Sequence, residues 1–395
     1  MLEGKEIILG VTGSIAAYKG ADIASRLSQA GARVTAVLTQ SATRFITPLT
    51  FESITGNPAF SSLWHEKTGV NHITLAERAE IVLIAPATAN TIAKLAAGLA
   101  DDMLSCLVLA TRAPVIIAPA MHTAMYENPA TRGNIELLKK RGFIFIEPGE
   151  GRLASGGYGR GRLRDADFIA GTVKWVAGRS GRLAGKKIVI TAGGTREPLD
   201  PVRFVGNYSS GKTGYGLATT ARDLGAAVEL VTTAEPPAET AGINTTRVNT
   251  AEEMYTALEG ALTGADCLIM AAAVADYRPQ NPRAQKIKKA PGSFAFEMAP
   301  NRDILDELRG DFIRIGFAAE TENIESNAFA KLKAKQLDMI VANDVSGTTT
   351  GFGSDYNQAS LIYPDGLTEK LPVMAKTELA GVILNAVVNL IGPER

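Results

Sequence analysis

KKIVITAGGT at residues 186–195 matches in kind KEIILGVTGS at residues 5–14: a basic residue, a run of branched apolar side chains, then a turn of small residues. The apolar positions run consecutively instead of alternating, so each stretch reads as a strand buried on both faces, the mark of a parallel sheet with helices on either side. Outward from the first stretch, residues 15–30 read as a helix with Ile23 and Leu27 on its apolar face, stopped at Gly31, and 34–38 as the next strand. Further strands are expected at 81–85, 115–118 and 143–146, with helical stretches near 88–97 and 134–141. Outward from the second, strands are expected at 228–231, 267–271, 313–317, 339–342 and 360–363. The helices between and after them are expected at 213–224, 251–262, 303–308, 323–335 and 377–390. The reading is α/β: two Rossmann-like domains with doubly wound, mostly parallel sheets, over residues 1–180 and 185–395. A short polar, glycine-containing linker spans 178–185, after a helical segment at 165–177. Little beyond the two opening strands aligns, so this is no internal repeat. Residues 147–164 are too glycine-dense for a core element and are expected to be a mobile loop or flap.

The chain has 395 residues, with 41 Lys+Arg against 41 Asp+Glu, and this balance excludes a generally basic protein that coats nucleic acid or an anionic membrane. Two cysteines, Cys106 and Cys267, cannot make a disulfide framework, and with three histidines a zinc enzyme is not expected. No apolar run approaches the roughly 18 residues of a membrane helix. The N-terminus reads as a strand entering a turn, not as a signal peptide. A cytoplasmic protein with neither nucleic acid nor membrane as partner is the expectation.

Several turns carry chemistry. Residues 206–213, GNYSSGKT, satisfy the P-loop pattern letter for letter, but a phosphate-cradling loop must follow its strand at once. Here the strand ends near Thr191, about fifteen residues earlier, with Pro198 and Pro201 between. A P-loop nucleotidase is therefore the weaker reading, and what survives is an anion site at Ser209 and Ser210, before a helix. In the first domain the turn at Gly13 and Ser14 lacks dinucleotide spacing and suits either a phosphate or a structural role. With Thr39 and Ser41 after the second strand and Thr88 after a later one, it lies at the strand ends where open α/β sheets bind ligands, and a mononucleotide site is the reading. In the second domain an apolar strand runs to Asp276, followed by Lys286, Lys288 and Lys289, while Lys331 and Lys335 share a helix face. Together they could neutralise a triphosphate in an otherwise neutral chain.

At these residues the sequence resembles the bifunctional phosphopantothenoylcysteine decarboxylase / phosphopantothenate–cysteine ligase family of coenzyme A synthesis, over nearly its whole length. The ligase half matches through TAGGTREPLDPVRFVGNYSSGKTG, AAAVADYRP, KIKK, GFAAET and ANDVS; the decarboxylase half through GVTGSIAAYK, NHITLAERAEIVLIAPATAN, DDMLS and PAMHTAMYENPAT. The resemblance implies that the first domain binds FMN with Gly13, Ser14, Ile15, Thr39, Ser41, Thr88 and Ser105. There the substrate's cysteine end would be oxidised, lose carbon dioxide and be reduced again, with His72 and His122 catalytic. It implies that the second domain activates the phosphopantothenate carboxylate with CTP and magnesium as an acyl-cytidylate, which the cysteine amine then attacks. Asn207 would steady the acyl-cytidylate and Lys286 would offset phosphate charge. CTP contacts would fall on Ala272, Ala273, Asp276, Lys286, Arg302, Asp303, Ile304, Leu305, Phe317, Lys331 and Lys335. Arg203, Asn207, Ser209 and Ser210 would serve the substrate and the subunit interface, and the magnesium ligands are unassigned. A homo-oligomer of trimeric flavin domains and dimeric ligase domains is implied.

This chain departs from the family pattern at three positions. Thr213 replaces the methionine after SSGK, which alone creates the P-loop mimicry. His122 stands where the family has an asparagine. Ser155 stands in the flap where the family has a cysteine proton donor. A thiol with a pKa near 8.5 is a far stronger acid than a serine hydroxyl, so the alternative reading is an active ligase whose flavin domain is impaired in the final reduction. Tyr158 or a water could supply the proton instead.

Overall fold

The computed structural model describes residues 2–64, 71–236, 240–289, 295–320, 322–344 and 354–392. They divide into two compact units, Met1–Gly178 and Arg179–Arg395. Thr321 of the GFAAET motif and the last two residues of ANDVS lie outside the described residues.

In chain order the first unit is β1 (Glu6–Val11), α1 (Lys19–Gln29), β2 (Arg33–Leu38), α2 (Pro48–Thr55), α3 (Asn71–Arg78), β3 (Ile81–Ala87), α4 (Ala89–Ala97) and α5 (Met103–Ala110). It continues with β4 (Val115–Pro119), α6 (Thr123–Tyr126), α7 (Pro129–Lys140), β5 (Ile144–Phe145), β6 (Gly149–Arg152), β7 (Tyr158–Arg162) and α8 (Ala166–Gly178). The main sheet has the order β2-β1-β3-β4-β5 and every pairing is parallel. Both faces are covered, which explains the unbroken apolar runs. Ile7, Leu9 and Val11 join Ile23, Leu27, Ile169 and Val173 in one core, and Ile8 joins Val82, Ile84, Leu104 and Leu107 in the other. The expected single helix over 15–30 is broken: a 3-10 turn, Ile15–Tyr18, precedes α1.

The glycine-dense segment is not a structureless loop. β6 and β7 pair antiparallel as a hairpin. Its base is pinned by the Met121 amide, which donates to the Gly161 carbonyl (3.0 Å). A Cβ on Gly161 would lie 2.2 Å from the Met121 carbonyl oxygen, so only glycine lets the hairpin approach the β4 exit this closely.

The second unit runs β8 (Lys187–Ala192), β9 (Arg196–Pro198), β10 (Phe204–Gly206), α9 (Lys212–Asp223), β11 (Ala227–Thr232), β12 (Ile243–Arg247), α10 (Ala251–Ala261), β13 (Cys267–Met270) and β14 (Tyr277–Pro279). Then follow β15 (Met298–Pro300), α11 (Ile304–Glu307), β16 (Ile313–Glu320), α12 (Ile324–Lys335), β17 (Met339–Asp344), β18 (Tyr356–Asn357), β19 (Ala359–Ile362), β20 (Thr368–Lys370), β21 (Met374–Ala375) and α13 (Lys376–Ile391). Its main sheet, β12-β11-β8-β13-β16-β17-β19-β20, is parallel through β17, and the β17–β19 and β19–β20 pairings are antiparallel. Helices α9 and α13 cover one face through Leu217, Ala218, Ile383 and Leu384; α10 and α12 cover the other through Met254, Leu258 and Leu332. β8 runs into the antiparallel hairpin β9–β10, not into a helix, so GNYSSGKT is no P-loop.

Candidate active sites, one in each unit

The order 2-1-3-4-5 reverses direction between β1 and β3, and open α/β sheets bind ligands at such a switch point, beyond the strand ends. A cleft of about 1170 Å³ lies there, lined by residues that include Gly13, Ser14, Ile15, Thr39, Ser41, Thr88, Met121, His122 and Ser155. The turns are held by side chains of their own. Ser14 accepts from the Ala16 amide (3.2 Å), Thr39 from Ala42 (3.3 Å) and Thr88 from Thr91 (3.3 Å). Fully buried Thr12 joins two strand ends: its hydroxyl donates to the Pro86 carbonyl (2.7 Å) and accepts from the Thr88 amide (3.0 Å). Thr12 carries no motif signal of its own, because a threonine directly after an apolar strand resembles core.

His122 begins α6 as its N-cap, and its Nδ1 accepts from the Ala124 amide (3.2 Å). An asparagine oxygen would do the same, so imidazole keeps the cap and turns its other nitrogen, Nε2, into the donor. Ser155 sits at the exposed tip of the β6–β7 hairpin and lines the cleft. Elsewhere in the unit, Arg160 of β7 and Tyr126 of α6 both donate to Glu147 (2.7 Å each). Burial, then the Glu147 carboxylate, pushes the Tyr126 phenol up to about 12, so it stays a donor.

Three residues expected in this site do not line it. Ser105 is buried, and its hydroxyl and amide are spent on a capping box with Asp102, so Asp101 and Asp102 line the cleft in its place. Burial alone would raise the Asp102 carboxyl, but hydrogen bonds from Ser105 and Lys94 outweigh it and hold it below the usual carboxylate range. His72 is half-buried on α3 and does not line the cleft, nor does Tyr158 on β7. Neither cysteine lines this cleft, and burial pushes both thiols up.

In the second unit a cleft of about 770 Å³ lies at the same end of the sheet. Its lining includes Asn207, Ser209, Ser210, Ala272, Ala273, Asp276, the run from Arg302 to Leu305, Phe317, Lys331 and Lys335. The Asn207 amide nitrogen donates to the Val274 carbonyl (3.0 Å), tying the residue after β10 to the β13 exit. Lys331 donates to the Phe317 carbonyl (3.1 Å), and Lys335 pairs with Asp303, the N-cap of α11 (2.7 Å). Arg302 is committed: its guanidinium covers the Tyr255 ring at 3.6 Å and pairs with Glu307 (2.6 Å) and Glu252 (3.2 Å).

Lys286 and Arg203 are exposed and do not line this cleft. They belong to a separate arm. The Arg203 guanidinium donates to the Ile287 carbonyl (3.2 Å), and the Ile287 amide donates to Asp200 (3.1 Å), joining the β9–β10 hairpin to the lysine segment. Conversely, Lys212, Lys376, Asn343 and Asn357 line the cleft without having been singled out as ligands. Burial, followed by the nearby Lys212 charge, lowers the Lys376 pKa. Lys212 pairs with Asp355 (2.7 Å).

A family model described as Flavoprotein matches residues 1–177, and one described as DNA/pantothenate metabolism flavoprotein C-terminal domain matches residues 183–391. The coenzyme A biosynthesis bifunctional protein CoaBC of Bacillus subtilis (strain 168) is 42% identical over 398 residues, spanning 99% of this chain and 98% of that protein. The protein of the same name from Mycobacterium tuberculosis (strain ATCC 25618 / H37Rv) is 39% identical over 406 residues, spanning 98% and 97%. The crystal structure of the C-terminal domain of a CoaBC protein is 38% identical and covers 54% of this chain and 98% of its own, with a TM-score of 0.45. With likeness extending over both units at this level, the chain belongs to the CoaBC family: it is a bifunctional enzyme of coenzyme A biosynthesis that ligates cysteine to phosphopantothenate and decarboxylates the phosphopantothenoylcysteine so formed.

Proposed function

We propose that the second unit is the ligase and uses CTP, and that the first is the decarboxylase and uses FMN. The observation that carries the ligase assignment is one cleft shared by Lys331, Lys335, Lys212, Lys376 and Asn207 in a chain of zero net charge. The phosphopantothenate carboxylate attacks the α-phosphate of CTP, pyrophosphate leaves, and the cysteine amine displaces CMP from the acyl-cytidylate. Lys331 and Lys335 meet the triphosphate, with Lys335 exchanging Asp303 for a phosphate oxygen. Lys212 and Lys376, which share the cleft wall, take the phosphate monoester of phosphopantothenate. Asn207, held by Val274, hydrogen-bonds the acyl-cytidylate. Lys286 reaches the phosphates only if its arm closes, and we assign Arg203 on that arm to a neighbouring subunit's cleft in a dimer.

Among the described residues no cluster of three His, Cys, Asp or Glu side chains could hold a metal ion. Magnesium carried by a triphosphate needs only one or two carboxylates, and Asp276 on the cleft wall can supply one.

FMN fits the first cleft by volume and by donor set: hydroxyls of Ser14, Thr39, Ser41 and Thr88 beside exposed apolar Ile15. When bound, it supplies reversible hydride acceptance from the substrate's cysteine end. His122, with Nε2 as donor, holds the carboxylate until carbon dioxide leaves. Ser155 approaches on the hairpin tip to supply a proton. We assign His72 to a neighbouring subunit's cleft in a trimer.

The test is to incubate the protein with 4′-phosphopantothenate, cysteine, magnesium and either CTP or ATP, and to identify products by mass. Phosphopantetheine formed with CTP is expected, and Asn207→Ala should abolish it while CTP still binds; undiminished product would remove Asn207 from the mechanism. Because Ser155 sits at the hairpin tip where a thiol would be the stronger acid, a second outcome has its own marker: product arrested after decarboxylation and released by Ser155→Cys.

A further inference from the structure

Four arginines lie on or beside the β6–β7 hairpin. Two are committed: Arg160 pairs with Glu147 (2.7 Å), and Arg164 lies over the Phe168 ring at 4.0 Å. The other two, Arg152 at the end of β6 and Arg162 at the end of β7, line the first unit's cleft beside Ser155. Neither guanidinium makes a hydrogen bond or ion pair with any described residue. Arg162 is seated by an absence: a Cβ on Gly151 would lie 2.7 Å from its Nη1 and 3.1 Å from its Cδ. Gly151, at φ +152°, leaves that side chain room to cross toward the strand that carries Arg152. The acids of this cleft do not answer them, since Lys94 already holds Asp101 (2.7 Å) and Asp102 (3.1 Å).

Two exposed guanidiniums on the element that covers a cleft, with no protein partner, are free to meet an anion that arrives with the ligand. Guanidinium favours phosphate, which it meets with two parallel hydrogen bonds. A phosphate here has two sources, the flavin's own and the substrate's. The hydroxyl cradle for a flavin phosphate lies on the turns after β1, β2 and β3, whereas the arginines lie on the hairpin with the tip residue that meets the substrate. We infer that Arg152 and Arg162 bind the phosphate monoester of the decarboxylase substrate and set its preference over the unphosphorylated compound. The inference rests on the assignment of the first cleft as the decarboxylase site.

The test uses the full-length flavin-loaded protein and two substrates, phosphopantothenoylcysteine and unphosphorylated pantothenoylcysteine. The double variant Arg152→Met/Arg162→Met should lose at least about tenfold in kcat/KM on the phosphorylated substrate and change by no more than about twofold on the other. Lysine at both positions should restore most of the preference, because the charge is kept. Equal losses on both substrates, or no loss on either, would overturn the inference. So would loss of bound flavin absorbance in the double variant, which would make the flavin phosphate the occupant. Retained turnover of the unphosphorylated substrate reports that the first unit is folded. Ser14→Trp, which crowds the cleft, tests the assignment beneath: if flavin and decarboxylation survive it, the cleft assignment fails whatever the arginines do.

Discussion

Thr12, directly after β1, joins the end of that strand to the β3 exit with one hydroxyl. Replacing it by valine keeps the shape and the backbone bond from the Thr12 amide to the Pro86 carbonyl, but leaves the Thr88 amide without its hydroxyl acceptor. Thr12→Val should cost about 1–3 kcal/mol, seen as a lower urea midpoint of the first unit, and should release flavin more readily; an unchanged midpoint and flavin content would show the latch to be dispensable. At this scale the motifs identified residue types well and directions poorly. Ser14, Thr39, Ser41 and Thr88 meet because each follows a parallel strand, and strand ends are legible in apolar runs. Ser105 carries the same hydroxyl but faces Asp102, since a serine three residues into a helix after an aspartate completes a cap.

The arm formed by the β9–β10 hairpin and the segment near Ile287 depends on Asp200. Its buried carboxyl accepts from the amides of Val202 (2.8 Å), Arg203 (2.9 Å) and Ile287 (3.1 Å). Burial pulls its pKa up, but these donors and the Arg203 charge outweigh it and hold it below the usual 3.8. A carboxylate with a lower pKa folded than unfolded stabilises fully above its unfolded value, and that stabilisation is lost as acid passes through the folded value. The two segments of the arm should therefore stay joined at neutral pH and separate as the pH falls below about 4, and Asp200→Asn should separate them at every pH. Limited proteolysis of the arm across a pH series checks this; cleavage of Asp200→Asn no faster than the parent at pH 7 would rule it out. Elements like this arm and the β6–β7 hairpin were not legible in sequence. Their strands are short and rich in Gly, Pro and Arg, so neither a period of 2 nor a period of 3.6 appears. Backbone contacts to distant segments, such as Met121 to Gly161, hold them instead.

Each unit has its own two-faced core, so damage to one core should spare the other's chemistry. Ile190 is fully buried on β8. Ile190→Ala should destabilise the second unit by about 2–5 kcal/mol and lower the temperature at which ligase activity is lost. Flavin content and decarboxylation of supplied phosphopantothenoylcysteine should not change. Calorimetry with both activities followed on heating checks this, and a joint loss would mean that the units unfold as one. Among the described residues no helix is long and apolar enough to cross a membrane. Zero net charge gave no hint of the lysines of the second cleft, because their positive charge is balanced elsewhere in the chain. The amino-acid sequence alone determined the two α/β units and the strand-end turns, because strands buried on both faces require unbroken apolar runs and helix ends require recognisable caps. Only the tertiary structure decided which polar residues share a cleft. Lys376 begins the last helix, far along the chain from every nucleotide motif, and reaches the site because α13 packs beside α9. Lys286 and Arg203 sit within the motifs yet lie outside the cleft, because Asp200 binds their segment to a separate arm. Spacing along the chain carries periodicity and capping, whereas the company a side chain keeps is set by packing between segments remote in sequence.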